Sequence, residues 1–232
     1  LLTFGGAYSN HLRATAAAGH YCGFSTIGIV RGEEHVPLNP SLSLAVRHGM
    51  RLCYLSRADY RRKTDPEVIA ALEDEFGPFY LLPEGGGNEL AVRGCAEVPA
   101  EIGLDFDIIC CPCGTGATLA GIAAGLGSGQ RAIGFAALKG AEFLDRDVAY
   151  LQHSAFGERS INWHIEYQFH SGGFARRDAE LDEFVADFAR RHQLSLDWVY
   201  VAKMLHGVFS LARQGAFAPG SRVVVVITGG PL

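Results

Sequence analysis

The segment Cys113-Gly-Thr-Gly-Ala-Thr-Leu-Ala-Gly121 joins an apolar run, Ile108-Ile109-Cys110-Cys111, to an amphipathic one through a turn holding two glycines and two threonines. Gly114 and Gly116 let the backbone approach an anion without a Cβ in the way, and Thr115 and Thr118 add hydroxyl donors. A helix opening near Ala117 presents unpaired N–H groups and the positive end of its dipole. That chemistry suits a phosphate. No Gly-Lys-Ser/Thr follows, so the turn is not a Walker A loop, and no acidic residue on a second strand completes a dinucleotide fingerprint. Taken alone, the segment also fits a tight turn that uses glycine only for geometry.

Four further clusters carry polar groups at turns. Phe4-Gly5-Gly6-Ala7-Tyr8-Ser9-Asn10-His11 places a hydroxyl, an amide and an imidazole in consecutive positions. Ser9 suits the N-cap of a following helix, which is its competing structural reading. Pro83-Glu84-Gly85-Gly86-Gly87-Asn88 is a pliable connection that can line a cleft. Leu196-Asp-Trp-Val-Tyr200-Val-Ala-Lys203-Met204 precedes a helix that carries His206. Each of its two chemical groups has a plainer alternative: Tyr200 as a core aromatic with a wet tip, Lys203 as a helix-surface cation. Thr228-Gly229-Gly230 closes the set.

The elements that must position these groups alternate. Strands are expected at 1–4, 26–30, 52–55, 79–82, 107–111, 132–135 and 222–227, with helices at 9–22, 40–48, 65–76, 88–101, 117–126, 141–152, 179–192 and 201–214. Such alternation is the signature of parallel βαβ units. Leu119, Ile122, Ala123 and Leu126 recur at helical spacing and mark one buried face. Val223 to Ile227 is apolar without alternation, as in a parallel sheet covered on both faces. The expectation is an α/β protein whose polar turns gather on the C-terminal edge of the sheet, where ligands of open α/β folds bind. The glycine run puts a domain change near residue 84, giving domains 1–84 and 85–232.

Composition narrows the function classes. A chain of 232 residues at 48% hydrophobic content can bury a sizeable core. Its net charge of −5 and isoelectric point near 6.0 leave no electrostatic footprint for nucleic acid. No apolar run approaches the ~20 residues of a membrane span, and no charged segment followed by an apolar one opens the chain, so a cytoplasmic protein is expected. The 6 cysteines lack a disulfide framework and read as buried free thiols. A zinc site on Cys111 and Cys113 would lack a second ligand pair, so no metal is expected. Leu1-Leu2-Thr3-Phe4 reads as a strand already under way, and the sequence is expected to continue beyond its given N-terminus and beyond its C-terminus as well.

Taken in order, these motifs resemble the pyridoxal phosphate-dependent family of D-cysteine desulfhydrases and 1-aminocyclopropane-1-carboxylate (ACC) deaminases. The motifs that carry the resemblance are Gly5 to His11, Pro83 to Gly86, Cys113 to Thr118, Leu196 to Met204 and Thr228 to Gly230. The resemblance runs over essentially the whole chain. It implies a fold of the tryptophan synthase β-subunit type: two three-layer α/β domains with mostly parallel sheets, the first and smaller one ending near residue 84. It also implies a small amino-acid substrate and a homodimer, while charge and hydropathy give no nucleic-acid or membrane partner to expect.

By position, Gly114, Thr115, Gly116, Ala117 and Thr118 resemble the family's cradle for the cofactor phosphate. Asn10 matches the residue that hydrogen-bonds the pyridine 3-hydroxyl, and Ser9 the hydroxyl lying over the cofactor near the substrate. His11 is similar to the desulfhydrase-like members, since ACC deaminases have glutamine there, and with Gly86 it is expected on the substrate. Tyr200 matches an active-site tyrosine that relays or stabilises a proton. Thr228 matches the position near the pyridine nitrogen, where a hydroxyl leaves that nitrogen less strongly protonated than a carboxylate would. The implied reaction is a desulfhydrase-like elimination, with ACC deamination as the alternative and a non-catalytic homologue that holds the cofactor, or a domain for another phosphorylated ligand, as the rivals.

Three departures stand out: Tyr200-Val201-Ala202-Lys203 where the family has Tyr-Thr-Gly-Lys, Gly87-Asn88 where it has Gly-Thr-Asn, and Ala117 for a glycine. The family's Schiff-base lysine lies upstream of the position matched by residue 1. The chain's lysines are Lys63, Lys139 and Lys203, and none matches it.

Overall fold

Alternate residues of the central strands face two different hydrophobic cores, which is why these strands read as unbroken apolar runs. The computed structural model describes residues 1–230; positions 231 and 232, the end of the expected second domain, lie outside the described residues. Two units divide at the glycine run, one spanning Leu1–Gly86 and the other starting at Gly87.

The first unit runs β1 (Leu2–Gly5), α1 (Asn10–Cys22), β2 (Ile27–Arg31), α2 (Pro40–Arg47), β3 (Arg51–Leu55), α3 (Arg57–Arg61), α4 (Pro66–Phe76) and β4 (Leu81–Leu82). Its four strands are parallel, in the order β3-β2-β1-β4. Val30 packs with Leu12, Ala16, Leu42 and Met50 of one core, whereas its neighbour Ile29 packs with Leu2, Phe4, Tyr60 and Leu72 of another. Helices therefore cover both faces of the sheet.

The second unit runs α5 (Glu89–Cys95), α6 (Val98–Glu101), β5 (Ile108–Cys113), α7 (Ala117–Ala124), β6 (Arg131–Ala136), α8 (Leu144–Phe156), β7 (Trp163–Glu166), α9 (Ala179–His192), α10 (Val201–Arg213) and β8 (Val223–Val225). Its sheet is again parallel, in the order β7-β6-β5-β8. Ile109, Cys111 and Cys113 face the core built with α7 and α8, and Ile108 and Cys110 face the core built with α9 and α10.

The α/β class and the parallel pairing are as expected, and three details differ. The helix expected over 88–101 is two, because Pro99 cannot donate the hydrogen bond that would carry one helix through. The sequence reading has neither α3 nor β7: the first is a single capped turn, and Trp163-His-Ile-Glu166 is a short edge strand whose polar residues hide its period. The polar turns expected on one sheet edge belong to two sheets. Gly5 to His11 follows β1 of the first, and Gly114 to Thr118 follows β5 of the second.

Each of those turns leaves its sheet at the same topological place. In the first unit the chain builds outward from β1 through β2 to β3 and then returns to pair β4 on β1's other side. In the second it builds from β5 through β6 to β7 and returns to pair β8 beside β5. The crevice outside such a switch point is where open α/β sheets bind ligands.

Candidate active site

In the second unit the turn after β5 ends in a helix whose first donors are unused. Gly116 is the N-cap of α7, with φ 83° and no side-chain cap. Among the described residues no backbone hydrogen bond takes the N–H of Ala117, Thr118 or Leu119, while Ala120 N–H already donates to the Gly116 carbonyl. Three unpaired donors at a dipole's positive end, on a turn that exposes Thr115, fit an anion. Gly116 is required twice over: its φ is left-handed, and a Cβ there would stand 2.6 Å from Val148 Cγ2 on α8. Ala117 sits in the helix proper, where a side chain is tolerated.

The Thr118 hydroxyl lies within hydrogen-bonding reach of the Cys95 thiol, which burial pushes up in pKa. The Thr118 hydroxyl, donating to that sulfur, partly offsets the rise. Tyr200, the N-cap residue of α10, lies against Gly114. A Cβ at Gly114 would come within 3.3 Å of Tyr200 Cε1, and the tyrosine ring also meets Phe174 edge-on at 5.9 Å. Thr228 is exposed and follows β8, as far past Val225 as Cys113 is past Val225's register partner, Cys110.

In the first unit Ser9 caps α1. Its Oγ accepts from Leu12 N–H at 3.3 Å and so keeps its own proton to donate. The structural reading of Ser9 therefore holds, and it leaves the hydroxyl's donor unspent. Asn10 opens the helix, with Oδ1 accepting from Arg13 Nη1 at 3.3 Å. His11 Nε2 lies 2.7 Å from the hydroxyl of Thr3, which is wholly buried and donates to the Leu82 carbonyl at 3.1 Å. With that proton committed, Thr3 accepts from a protonated Nε2, and Nδ1 carries the lone pair. Burial pulls the His11 pKa below its ordinary value, with Glu84 opposing, so the ring is neutral at pH 7. Its Cε1–Nδ1 edge faces Gly86, where a Cβ would stand 3.1 Å from Cε1. The Gly86 turn is itself held by Glu84, which accepts from Tyr60 Oη at 2.9 Å and pairs with Lys63 Nζ at 3.2 Å.

The structure thus brings His11 together with Gly86 and Tyr200 together with Gly114. Sequence reasoning missed the partners: Thr3, Tyr60, Glu84's anchoring role and Phe174. Only Thr3 left a signal, as a polar residue inside an apolar strand. Of the three lysines, Lys63 is paired with Glu84, Lys139 is exposed, and Lys203 Nζ is buried against the carbonyls of Gly173 and Ala137. The turn at Gly114 to Thr118 fits the cofactor's phosphate.

Comparison with known proteins bears on the same residues. A family model described as pyridoxal-phosphate dependent enzyme matches residues 3–229. The chain is 29% identical to the 1-aminocyclopropane-1-carboxylate deaminase of Rhizobium leguminosarum bv. viciae, over 99% of this chain and 75% of that one. It is 28% identical to the mitochondrial bifunctional D-cysteine desulfhydrase/1-aminocyclopropane-1-carboxylate deaminase of Arabidopsis thaliana, over 100% of this chain and 64% of that one. The crystal structure of an ACC deaminase homologue superposes with a TM-score of 0.83 at 25% identity, covering 99% of this chain and 73% of the other.

Proposed function

The chain belongs to the pyridoxal-phosphate dependent enzymes, with the fold of the tryptophan synthase β-subunit type, and on that premise we propose that it degrades a small amino acid, D-cysteine first. The overall change is D-cysteine and water to pyruvate, ammonia and hydrogen sulfide. Pyridoxal phosphate, when bound, supplies the electron sink that makes the amino acid's Cα–H acidic.

The residues of this chain do the rest. In the second unit, the free N–H groups of Ala117, Thr118 and Leu119 bind the phosphate, with Gly114, Thr115 and Gly116 shaping the approach. Tyr200 would relay a proton at the substrate carbons, and the Thr228 hydroxyl would serve the pyridine nitrogen. In the first unit, the Asn10 amide donates to the ring 3-oxygen and the unspent Ser9 proton to the substrate side.

The observation that carries the choice of D-cysteine is His11. A neutral imidazole, pinned at Nε2 by Thr3, offers Nδ1 as a fixed acceptor toward Gly86. A glutamine in its place offers both a donor and an acceptor. ACC deamination to 2-oxobutyrate and ammonia is the near alternative. The reading also takes the working protein to be a cytoplasmic homodimer without nucleic-acid or membrane partners. Among the described residues no helix is long and apolar enough to cross a membrane.

One observation favours a second reading, a homologue that holds the cofactor without turning over substrate: Val201 and Ala202 stand between Tyr200 and Lys203, where the resembling family has Thr-Gly. Incubating the natural gene product and pyridoxal phosphate with D-cysteine, L-cysteine and ACC, and measuring sulfide, pyruvate and 2-oxobutyrate, separates the readings. Sulfide and pyruvate exceed 2-oxobutyrate if the proposal is right. The opposite order assigns the deaminase, and tight cofactor binding with no product assigns the non-catalytic homologue.

A further inference from the structure

Lys203 is only 1% exposed, and a methionine would fill the same volume without bringing a charge out of water. What the ammonium adds is a pair of ties between separate segments: Nζ donates to the Gly173 carbonyl at 2.7 Å and to the Ala137 carbonyl at 3.4 Å. Ala137 continues β6 and donates its own N–H to Cys113, the last residue before the Gly114 turn, at 3.0 Å. Gly173 lies between β7 and α9, in a stretch where Ser171, Gly172, Gly173 and Ala175 all have positive φ: 47°, 87°, 124° and 50°.

Two L-residues in the left-handed region strain that stretch, and strain persists only where surroundings over-determine it. Its own hydrogen bonds are short-range, from Gly173 N–H to the His170 carbonyl and from Arg176 N–H to the Gly173 carbonyl. Next to Gly173 is Phe174, whose ring meets Tyr200 edge-on. Tyr200 and Lys203 stand three residues apart at the start of α10. The carboxylates of Asp197 and Asp178 act on the buried ammonium and oppose the fall in its pKa that burial causes.

We infer that Lys203 is a positioning residue: by clamping Gly173 to the end of β6 it fixes the strained 171–175 loop, and through Phe174 it sets the Tyr200 ring over Gly114. The inference rests on the proposed role of Tyr200, and the experiment keeps the two separate. Lys203→Met in the natural gene product removes the donor and keeps the volume. Amide hydrogen exchange in residues 171–176 should then run about tenfold faster or more, while exchange in α7 stays as in the wild type. This result holds whether or not the protein turns over a substrate, so failure of the proposed function leaves it standing. Unchanged exchange at 171–176 overturns the inference.

In an active protein, kcat of Lys203→Met should fall about tenfold with KM changed less than about threefold, the pattern of a misplaced proton relay. Phe174→Leu, which leaves both lysine bonds in place, serves also if Lys203→Met does not fold. It should speed exchange in the first turn of α10, and the double variant should cost no more than the worse single one. Wild-type exchange at α10 in Phe174→Leu, or additive losses in the double variant, overturns the inference.

Discussion

The ring of Tyr200 rests on the backbone of Gly114, close enough that an added Cβ would stand 3.3 Å from Cε1 and 3.8 Å from the hydroxyl. The tyrosine and the turn after β5 therefore cannot be adjusted independently. Gly114→Ala moves the ring by a few tenths of an ångström, and kcat falls about tenfold with little change in the melting temperature. Tyr200→Phe keeps the packing and removes the hydroxyl proposed to relay a proton, so kcat should drop about a hundredfold while cofactor affinity is retained. Steady-state kinetics alongside a cofactor titration tests both, and equal losses of affinity and rate in Tyr200→Phe would remove the relay role.

Gly116 makes a stability prediction. Alanine there meets both a φ of 83° and a Val148 methyl group at 2.6 Å. Gly116→Ala should destabilise the second unit by about 2–3 kcal/mol. Adding Val148→Ala relieves the clash and leaves the backbone strain, so the pair should cost less than the sum of the two single variants in urea unfolding.

His11 predicts an acid limb. Its folded pKa lies below the ordinary 6.5, so the unfolded chain binds the proton more readily. The stability that depends on neutral His11 is complete above pH 6.5 and declines as pH falls below that value toward the folded pKa. Replacing His11 with glutamine should flatten this limb of a stability–pH curve. Thr3→Val, which removes the Nε2 partner inside the core, should cost about 1–3 kcal/mol at pH 7.

Lys203 predicts the opposite end of the scale. Burial lowers its pKa from 10.5 to about 8. Between those two values the unfolded chain binds more protons than the folded one, so stability rises with pH across that window. Measured against Lys203→Met, the wild-type protein should gain roughly 2 kcal/mol between pH 8 and 10.5. A difference that stays constant with pH would mean the buried amine does not titrate there.

Much of this was readable from residue types. The strands announced themselves because both faces are covered: Ile108 to Cys113 needs no polar side and shows none. Ser9 and Gly116 could be placed at helix starts because capping and glycine turns are local chemistry. The assignment of the turns to two separate sheets was not readable, since strand order depends on contacts that no window of sequence contains. Nor was the pairing of Thr3 with His11 and Leu82, which spans the whole first unit. Lys203 misled most, because its helical position suggests solvent and only tertiary packing turns it inward.

The strand that carries the phosphate turn has one further consequence. Cys110 is held at a pKa of about 12, and Cys111, wholly buried against Cys113, is also pushed well above the ordinary thiol value. Thiolate, not thiol, is the form that oxidants attack. Under the proposed elimination, the sulfide released would convert oxidised cysteines nearby to persulfides. Cys110 and Cys111, protonated and out of solvent, take no part in that exchange, and the exposed Cys22 is where such labelling should collect.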